Sequence, residues 1–259
     1  ISACLVGSEM CIRDSNKTEA ITLEQSKLTL SKDITVLSFS DSSMVDRNSS
    51  IIKVDSGWIV YSKNSESSIL SFTSDGQFSG YIGHRGNGPG EYTSVYDVVV
   101  NQKSKVLEVL SDGGIFCYTF GGDFLDKKEV TYPAFSFAID DRQNYWFYVG
   151  NNTTYGDAKM ICTDENIANV AYYLHQKSNM LPMVENNFGR NGEWLTFHES
   201  LNHDLYTIEN GKLDLSYAID FPNYKLPKKL HELSGMEVIE ELQRSNYASI
   251  INYLENHDY

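Results

Sequence analysis

The segment ILSFTSDGQFSGYIGHRGNGPGEY, residues 69–92, sets two strand-like runs around the turn pair Asp75-Gly76. It then breaks into a loop, Gly83-His84-Arg85-Gly86-Asn87-Gly88-Pro89-Gly90-Glu91-Tyr92, holding four glycines and one proline. No helix or central strand accommodates such a loop. Another strand-like run, 95–100, follows it, so the loop joins two β-units and is too long for a hairpin turn.

Working outward, 51–54, 57–62, 68–73 and 77–82 read as four short strands separated by polar, glycine-bearing turns. Asp75-Gly76 is the kind of pair a two-residue hairpin uses, because its central residues need positive φ. The figure returns at 95–100, 105–110, 115–120 and 124–130, turning at Gly121-Gly122. A third copy runs 135–139, 145–149, 159–162 and 167–173 with Glu165-Asn166 at its turn, and a fourth runs 183–188, 193–197, 204–208 and 212–219 with Asn210-Gly211. Gly76, Gly122, Asn166 and Gly211 are spaced by 46, 44 and 45 residues, and Asn is the non-glycine residue that most readily turns left-handed. A period in the forties made of four antiparallel strands is the signature of a β-propeller blade.

Val98-Val99-Val100 and the run from Tyr145 to Val149 are apolar on both faces, as strands in sheets stacked face to face must be. Phe78 and Phe124, 46 residues apart, are expected at equivalent places between blades. The fold class is therefore all-β, a propeller of four-stranded antiparallel blades, with about four blades present at 50–82, 95–130, 134–173 and 183–221. Beyond Phe221 the pattern stops. Pro222 and Pro227 bracket a turn, and Met236, Val238, Ile239 and Leu242 fall at helical spacing with Glu237, Glu240 and Glu241 outside them, predicting a helical insertion near 228–248. Residues 250–254 read either as more helix or as a new strand.

The chain has 259 residues, 41% of them apolar, enough for one large all-β domain or two ordinary ones. Its formal charge of −14 repels phosphate backbones, and no Lys/Arg cluster overrides that field, so nucleic acid is not an expected partner. The 17 Tyr and 12 Phe, among many Ser, Thr and Asn, favour strands and turns. No run approaches the roughly 18 apolar residues of a transmembrane helix. Cys4, Cys11, Cys117 and Cys162 form no CxxC pair, which argues against a zinc site or a disulfide framework. Cys117 and Cys162 read as small buried apolar residues.

Residues 1–15 have no period and resemble translated adapter read-through, so they are set aside from the fold argument. A rival reading takes Ile1-Ser2-Ala3-Cys4 as the end of a lipoprotein signal with Cys4 lipidated, although the basic and apolar regions that precede such a cysteine are not in the chain. Residues 34–39 read as a strand ahead of the first blade.

The outer strand running through Gln77-Phe78 and Tyr81-Ile82 into the loop Gly83–Tyr92 resembles the "IGxxGxGPGEY" signature of the six-bladed β-propeller proteins of Bacteroidetes, relatives in shape of the NHL-repeat and TolB-like propellers. Leu205-Tyr206-Thr207-Ile208, Tyr217-Ala218-Ile219-Asp220-Phe221 and Leu226-Pro227 resemble that family's later section. The resemblance implies two further blades, export to the periplasm or cell surface, and a lipid anchor on the full-length protein. It also implies that the strand at 34–39 pairs with the last blade. In this chain that strand would lack its native partner and present an open edge.

The glycine loop is no phosphate cradle, since no Gly-Lys-Ser/Thr follows it and it leads into a strand, not a helix. Two roles remain for it. In the first, Gly83, Gly86, Gly88, Pro89 and Gly90 permit a tight crossing between blades, pinned by Arg85 and Glu91 through charge-assisted hydrogen bonds. In the second, His84, Arg85, Asn87, Glu91 and Tyr92 line a ligand-binding mouth. For metal chemistry the oxygen donors on offer are Asp97, Asp140, Asp141, Asn186 and Asn187. His175, His198 and His203 lack ligand spacing, and no Gly-x-Ser-x-Gly elbow occurs. Asn-x-Ser/Thr sites stand at Asn16, Asn48, Asn151 and Asn152. No catalytic residue, metal site or cofactor is assigned. The function reading is a non-catalytic propeller that binds a protein, peptide or glycan, and its alternative is a calcium-dependent hydrolase or lyase using the channel.

Overall fold

The structure, a computed structural model, describes residues 34–38, 45, 49–63, 67–150, 156–175, 186–192, 194–233, 235–250 and 252–253. The readings made for residues 1–15, and the four Asn-x-Ser/Thr asparagines, fall outside these. Sixteen strands form four antiparallel sheets, each a simple up-and-down meander. Blade 1 is β1 (Ser50–Val54), β2 (Gly57–Tyr61), β3 (Ile69–Thr73) and β4 (Phe78–Ile82). Two short strands of the glycine loop follow, β5 (His84–Arg85) and β6 (Glu91–Tyr92). Blade 2 is β7 (Asp97–Asn101), β8 (Val106–Ser111), β9 (Gly114–Tyr118) and β10 (Phe124–Lys128). Blade 3 is β11 (Ser136–Ile139), β12 (Tyr145–Tyr148), β13 (Ala158–Thr163) and β14 (Ala171–His175), and blade 4 is β15 (Phe188–Asn191), β16 (Trp194–His198), β17 (Asp204–Glu209) and β18 (Lys212–Ala218). The helix α1 (Met236–Arg244) comes last, after a 3-10 turn at Lys228–Glu232. The fold is an all-β propeller of four-stranded blades.

The chain divides into two compact units, one holding blades 1–3 and the other blade 4 with α1. In the first unit, Ile59, Tyr61, Ile69 and Ile82 of blade 1 pack on Val98, Leu107, Val109 and Tyr118 of blade 2. Leu110, Ile115 and Cys117 of blade 2 pack in turn on Phe137, Tyr145, Phe147 and Ile161 of blade 3. Every residue of β9, β12 and β13 is buried, which is why these strands do not alternate polar and apolar. Phe137, Tyr145 and Phe147 stack with ring centroids 6.0–6.5 Å apart, and each such side chain contributes on the order of 1.5–3 kcal/mol by burial. Cys117 and Cys162 are free and buried, and burial pushes both thiols up to about 12.

The repeat is kept by a turn other than the one expected. In blade 1 the Thr73 N–H donates to Gln77 O, the Gly76 N–H donates to Thr73 O, and the Gln77 N–H donates to Thr73 Oγ1. Blade 2 repeats all three bonds with Thr119, Gly122 and Asp123. Blade 3 does so with Asp164, Ile167 and Ala168, the carboxylate of Asp164 standing in for the threonine hydroxyl. Positive φ falls on one residue of each bonded set, Gly76, Gly122 and Ile167, and not on Asn166. The expected two-residue turn with both central residues at positive φ occurs in blade 4 alone, at Asn210 and Gly211.

Two strand boundaries are also corrected. The Asp164 loop, which also accepts from Asn166 N and Asn169 Nδ2, delays β14 to Ala171. In blade 4 the strand expected at 183–188 lies partly outside the described residues, and among those described it runs Phe188–Asn191, with Gly189 and Arg190 pairing with Thr196 and Leu195. In α1 only Val238 and Leu242 are buried, packing with Leu201 and Leu230, while Met236 and Ile239 face outward at 67% and 41% exposure. Glu241, expected outside, is instead paired with Lys229 at 2.7 Å. Beyond the helix the chain returns to blade 4, where Thr196 Oγ1 donates to Tyr253 O, and residues 252–253 are neither helix nor strand.

Candidate functional site

The glycine loop closes on itself. β5 and β6 pair in parallel, with the Gly86 N–H donating to Tyr92 O and the Glu91 N–H donating to Gly88 O. The Glu91 carboxylate folds back to accept from Gly88 N at 2.8 Å, and Arg85 Nε donates to Thr93 O at 3.1 Å. Glu91 thus bonds to the loop's own backbone and Arg85 to the residue that follows it. Tyr92, 1% exposed, drives into the space between blades 1 and 2, accepting from Ile69 N and donating to Ile82 O. Burial pushes its phenol pKa up. Tyr118 of β9 donates to Gly90 O at 2.9 Å and meets Tyr92 edge-on.

The glycines have separate reasons. Gly83, at φ +61, faces the Tyr118 ring, and a Cβ there would lie 2.6 Å from a ring carbon. Gly90, at φ +75, faces Phe124 in the same way. Phe124 lies edge-on to Tyr118 at 5.8 Å, as Phe78 does to Phe72 at 5.7 Å, so the two hold equivalent places within their blades, but Phe124 is 42% exposed and is not buried between blades as expected. Of the five residues read as a ligand mouth, His84, Arg85 and Asn87 are exposed, whereas Glu91 is half-buried and Tyr92 buried.

Just past the loop, Asp112 in the β8–β9 turn accepts from Thr93 Oγ1 (2.6 Å), Ser94 Oγ (3.3 Å) and the Tyr96 hydroxyl. The Thr93 and Tyr96 hydroxyls hold its carboxyl below the usual range. A carboxyl whose folded pKa is lowered stabilises the fold above its unfolded pKa, and that contribution is lost as pH falls through the folded value. Asp112→Ala is therefore expected to make the loss of stability below about pH 4 shallower than in the parent chain, read as melting temperature against pH.

The inner strands carry a second set of polar groups. Asp97, at the start of β7, is buried. Its Oδ1 pairs with Lys63 of blade 1 at 2.8 Å and accepts from Val98 N, while its Oδ2 accepts from Phe137 N of blade 3 at 3.2 Å. One carboxylate thereby ties three blades where β7 and β11 lie side by side. Asp140 accepts from Arg142 N, Asn144 N, Asn144 Nδ2 and Trp146 Nε1. In blade 4, Asn187 exchanges bonds with the backbone of His198, while Asp141 and Asn186 are exposed. Among the described residues no group of three or more His, Cys, Asp or Glu is placed to hold a metal ion. Glu108, 2% exposed, takes Asn101 Nδ2 at 3.0 Å and the Tyr145 hydroxyl at 2.8 Å from the next blade. Sequence reasoning passed over Lys63, Glu108 and Asp112, because a single charge in a polar run carries no pattern.

His203 meets Phe221 edge-on and its Nε2 lies 3.0 Å from Ala248 O, His198 is buried, and His175 pairs with Asp157 at an exposed edge. No described helix is long and apolar enough to cross a membrane.

The family model of a domain of unknown function, DUF4934, matches residues 13–259. The chain belongs to the DUF4934 family. That DUF4934 match takes in the glycine loop and all four blades. Among solved structures, a Bacteroides fragilis protein assigned as exported matches with a TM-score of 0.70 at 15% identity, over 82% of this chain and 63% of that one. This is a likeness of fold, and the chain spans less than two thirds of that protein's length. Streptogramin B lyase (TM-score 0.47, 17% identity, 73% and 58% covered) and a DUF4221 member from Bacteroides vulgatus (0.42, 10%, 70% and 62%) are more distant. No curated protein matches the sequence.

Proposed function

We propose that the chain is the larger part of a six-bladed propeller that is exported to the periplasm or cell surface, lipid-anchored at full length, and binds a protein, peptide or glycan without catalysis. His84, Arg85 and Asn87 would meet the ligand, with Glu91 and Tyr92 holding the loop that presents them. The observation that carries the non-catalytic half is the internal use of the inner-strand oxygens. Asp97 is consumed by Lys63 and two backbone N–H groups, and Asp140 by four donors. A carboxylate so occupied would have to give up those bonds to reach a cation.

Calcium titration by calorimetry, with melting in chelator, tests this. The expected result is no heat of binding and an unchanged melting temperature. A ligand at 100 times its dissociation constant stabilises by about 2.7 kcal/mol, so a calcium-dependent rise of several degrees would overturn the proposal in favour of a calcium-dependent hydrolase or lyase.

A further inference from the structure

The glycine loop holds one of the chain's three Asn-Gly pairs, Asn87-Gly88, the others being Asn191-Gly192 and Asn210-Gly211. An Asn-Gly pair carries a reaction of its own. The backbone nitrogen of the glycine, once it has lost its proton, attacks the asparagine Cγ. The C–N bond of the side-chain amide breaks, and ammonia leaves carrying the proton. Water then opens the cyclic imide, at the side-chain carbonyl to give aspartate or at the backbone carbonyl to give isoaspartate. Glycine hinders this path least, because it has no Cβ to shield its nitrogen. Asn87 is exposed, so water reaches its amide and ammonia can leave.

The loop acts on the attacking nitrogen. The Gly88 N–H donates to Glu91 Oε2 at 2.8 Å in a part-buried position, while the Glu91 N–H donates back to Gly88 O. A carboxylate is far too weak a base to take a peptide proton, so this bond does not start the reaction. It opposes it twice. Hydroxide must break a charge-assisted hydrogen bond to reach the proton, and the amide anion left behind would stand beside a charge of like sign, which disfavours it. A Cβ on Gly86 would sit 1.9 Å from Glu91 Oε2, and one on Gly88 2.9 Å from it. The bare glycines on either side of Asn87 are thus what let the carboxylate reach Gly88 N.

We infer that Asn87 is a latent deamidation site, kept as an amide by the Glu91 carboxylate, which occupies the nitrogen that would attack it. Release would put a carboxylate on the exposed tip. In the isoaspartate product it would also add a methylene to the backbone between β5 and β6. This holds whether or not the tip meets a ligand, so a failed binding assay and a failed deamidation assay are separate results.

The test is the rate of deamidation at each Asn-Gly pair in mildly alkaline buffer, with the aspartate and isoaspartate peptides resolved by chromatography and mass. In the parent chain Asn87 should react at least about 10-fold more slowly than in a free peptide of residues 84–92, and Glu91→Ala should speed it by about 10- to 100-fold, the rate equivalent of a hydrogen bond to a charged group. Glu91→Gln, whose amide oxygen still accepts but carries no charge, should fall between. Gly86→Ala keeps Glu91 but displaces its carboxylate, and should speed Asn87 as well. Asn191 and Asn210, both in blade 4, are the internal references and should keep their rates. Three results would each overturn the inference: Asn87 as fast in the parent chain as in the peptide, a rate unmoved or slowed in Glu91→Ala, or a rise in Glu91→Ala and Gly86→Ala shared equally by Asn191 and Asn210. The last would assign the protection to the fold as a whole and not to the carboxylate.

Discussion

Lys63→Met is expected to lower the free energy of unfolding by about 3–5 kcal/mol, the usual result of stranding a buried charge. The Asp97 side chain is 5% exposed and that of Lys63 14%, with 2.8 Å between the charges. Without the ammonium, the carboxylate keeps only the N–H groups of Val98 and Phe137. It cannot turn to water without pulling β7 away from β11. Lys63→Met with Asp97→Leu should recover most of the loss, because an apolar pair of similar volume often replaces a buried ion pair at little cost, leaving the bonds lost by the Val98 and Phe137 N–H groups as the residual penalty. Guanidinium denaturation gives the energies directly, and the melting temperature should follow at about 2–4 °C per kcal/mol for a chain of this size. A loss below about 1 kcal/mol, the value of an exposed pair, would show that Asp97 does not tie the blades together.

The same residue shows where sequence reading stops. Asp97 was read as an oxygen donor for a channel cation because it heads an inner strand, and the position was right. What could not be read was Lys63, 34 residues earlier, since the pairing exists only once two blades are stacked. Local chemistry was legible. Gly76 in the β3–β4 turn, Gly122 in the β9–β10 turn and Gly211 in the β17–β18 turn all fall at positive φ. Blade 3 misled because its turn is held by the Asp164 carboxylate, which forces Ile167 into the left-handed region without help from glycine or asparagine. In blade 4 the first strand extends beyond the expected end at 188, since Gly189 lies inside it and pairs with Thr196. The α1 stripe looked four residues wide and is two, because only the Val238 and Leu242 side of the helix meets Leu201 and Leu230.

Gly83→Ala is expected to cost about 2–4 kcal/mol, combining a left-handed alanine at roughly 1–2 kcal/mol with the overpacking penalty of displacing a ring in a filled core. The ring is that of Tyr118, which is fully buried, bonds to Gly90 O and meets Tyr92, so it has no direction in which to yield. Gly86→Ala should cost only about 1 kcal/mol, although its Cβ would come nearer to an atom, 1.9 Å from Glu91 Oε2. That atom ends a flexible side chain, and moving it gives up one hydrogen bond, to Gly88 N. The order of the two costs, measured by thermal melting, decides what the loop is built around. If it is a joint, the damage follows contact with blade 2 through Tyr118 and Phe124, and His84→Ala or Asn87→Ala, both exposed, should change stability by less than about 0.5 kcal/mol. If Gly86→Ala proved the more damaging, the loop's own fold around Glu91 would be what the glycines serve, and the joint reading would fall. The boundary between blades 2 and 3 has neither these glycines nor a Tyr92, and fills its seam with the Phe137–Tyr145–Phe147 stack. Crossing between blades therefore does not of itself require the glycine loop. What the loop adds at the first boundary is an exposed tip carrying His84 and Asn87, closed by the backbone bonds from Gly86 to Tyr92 and from Glu91 to Gly88.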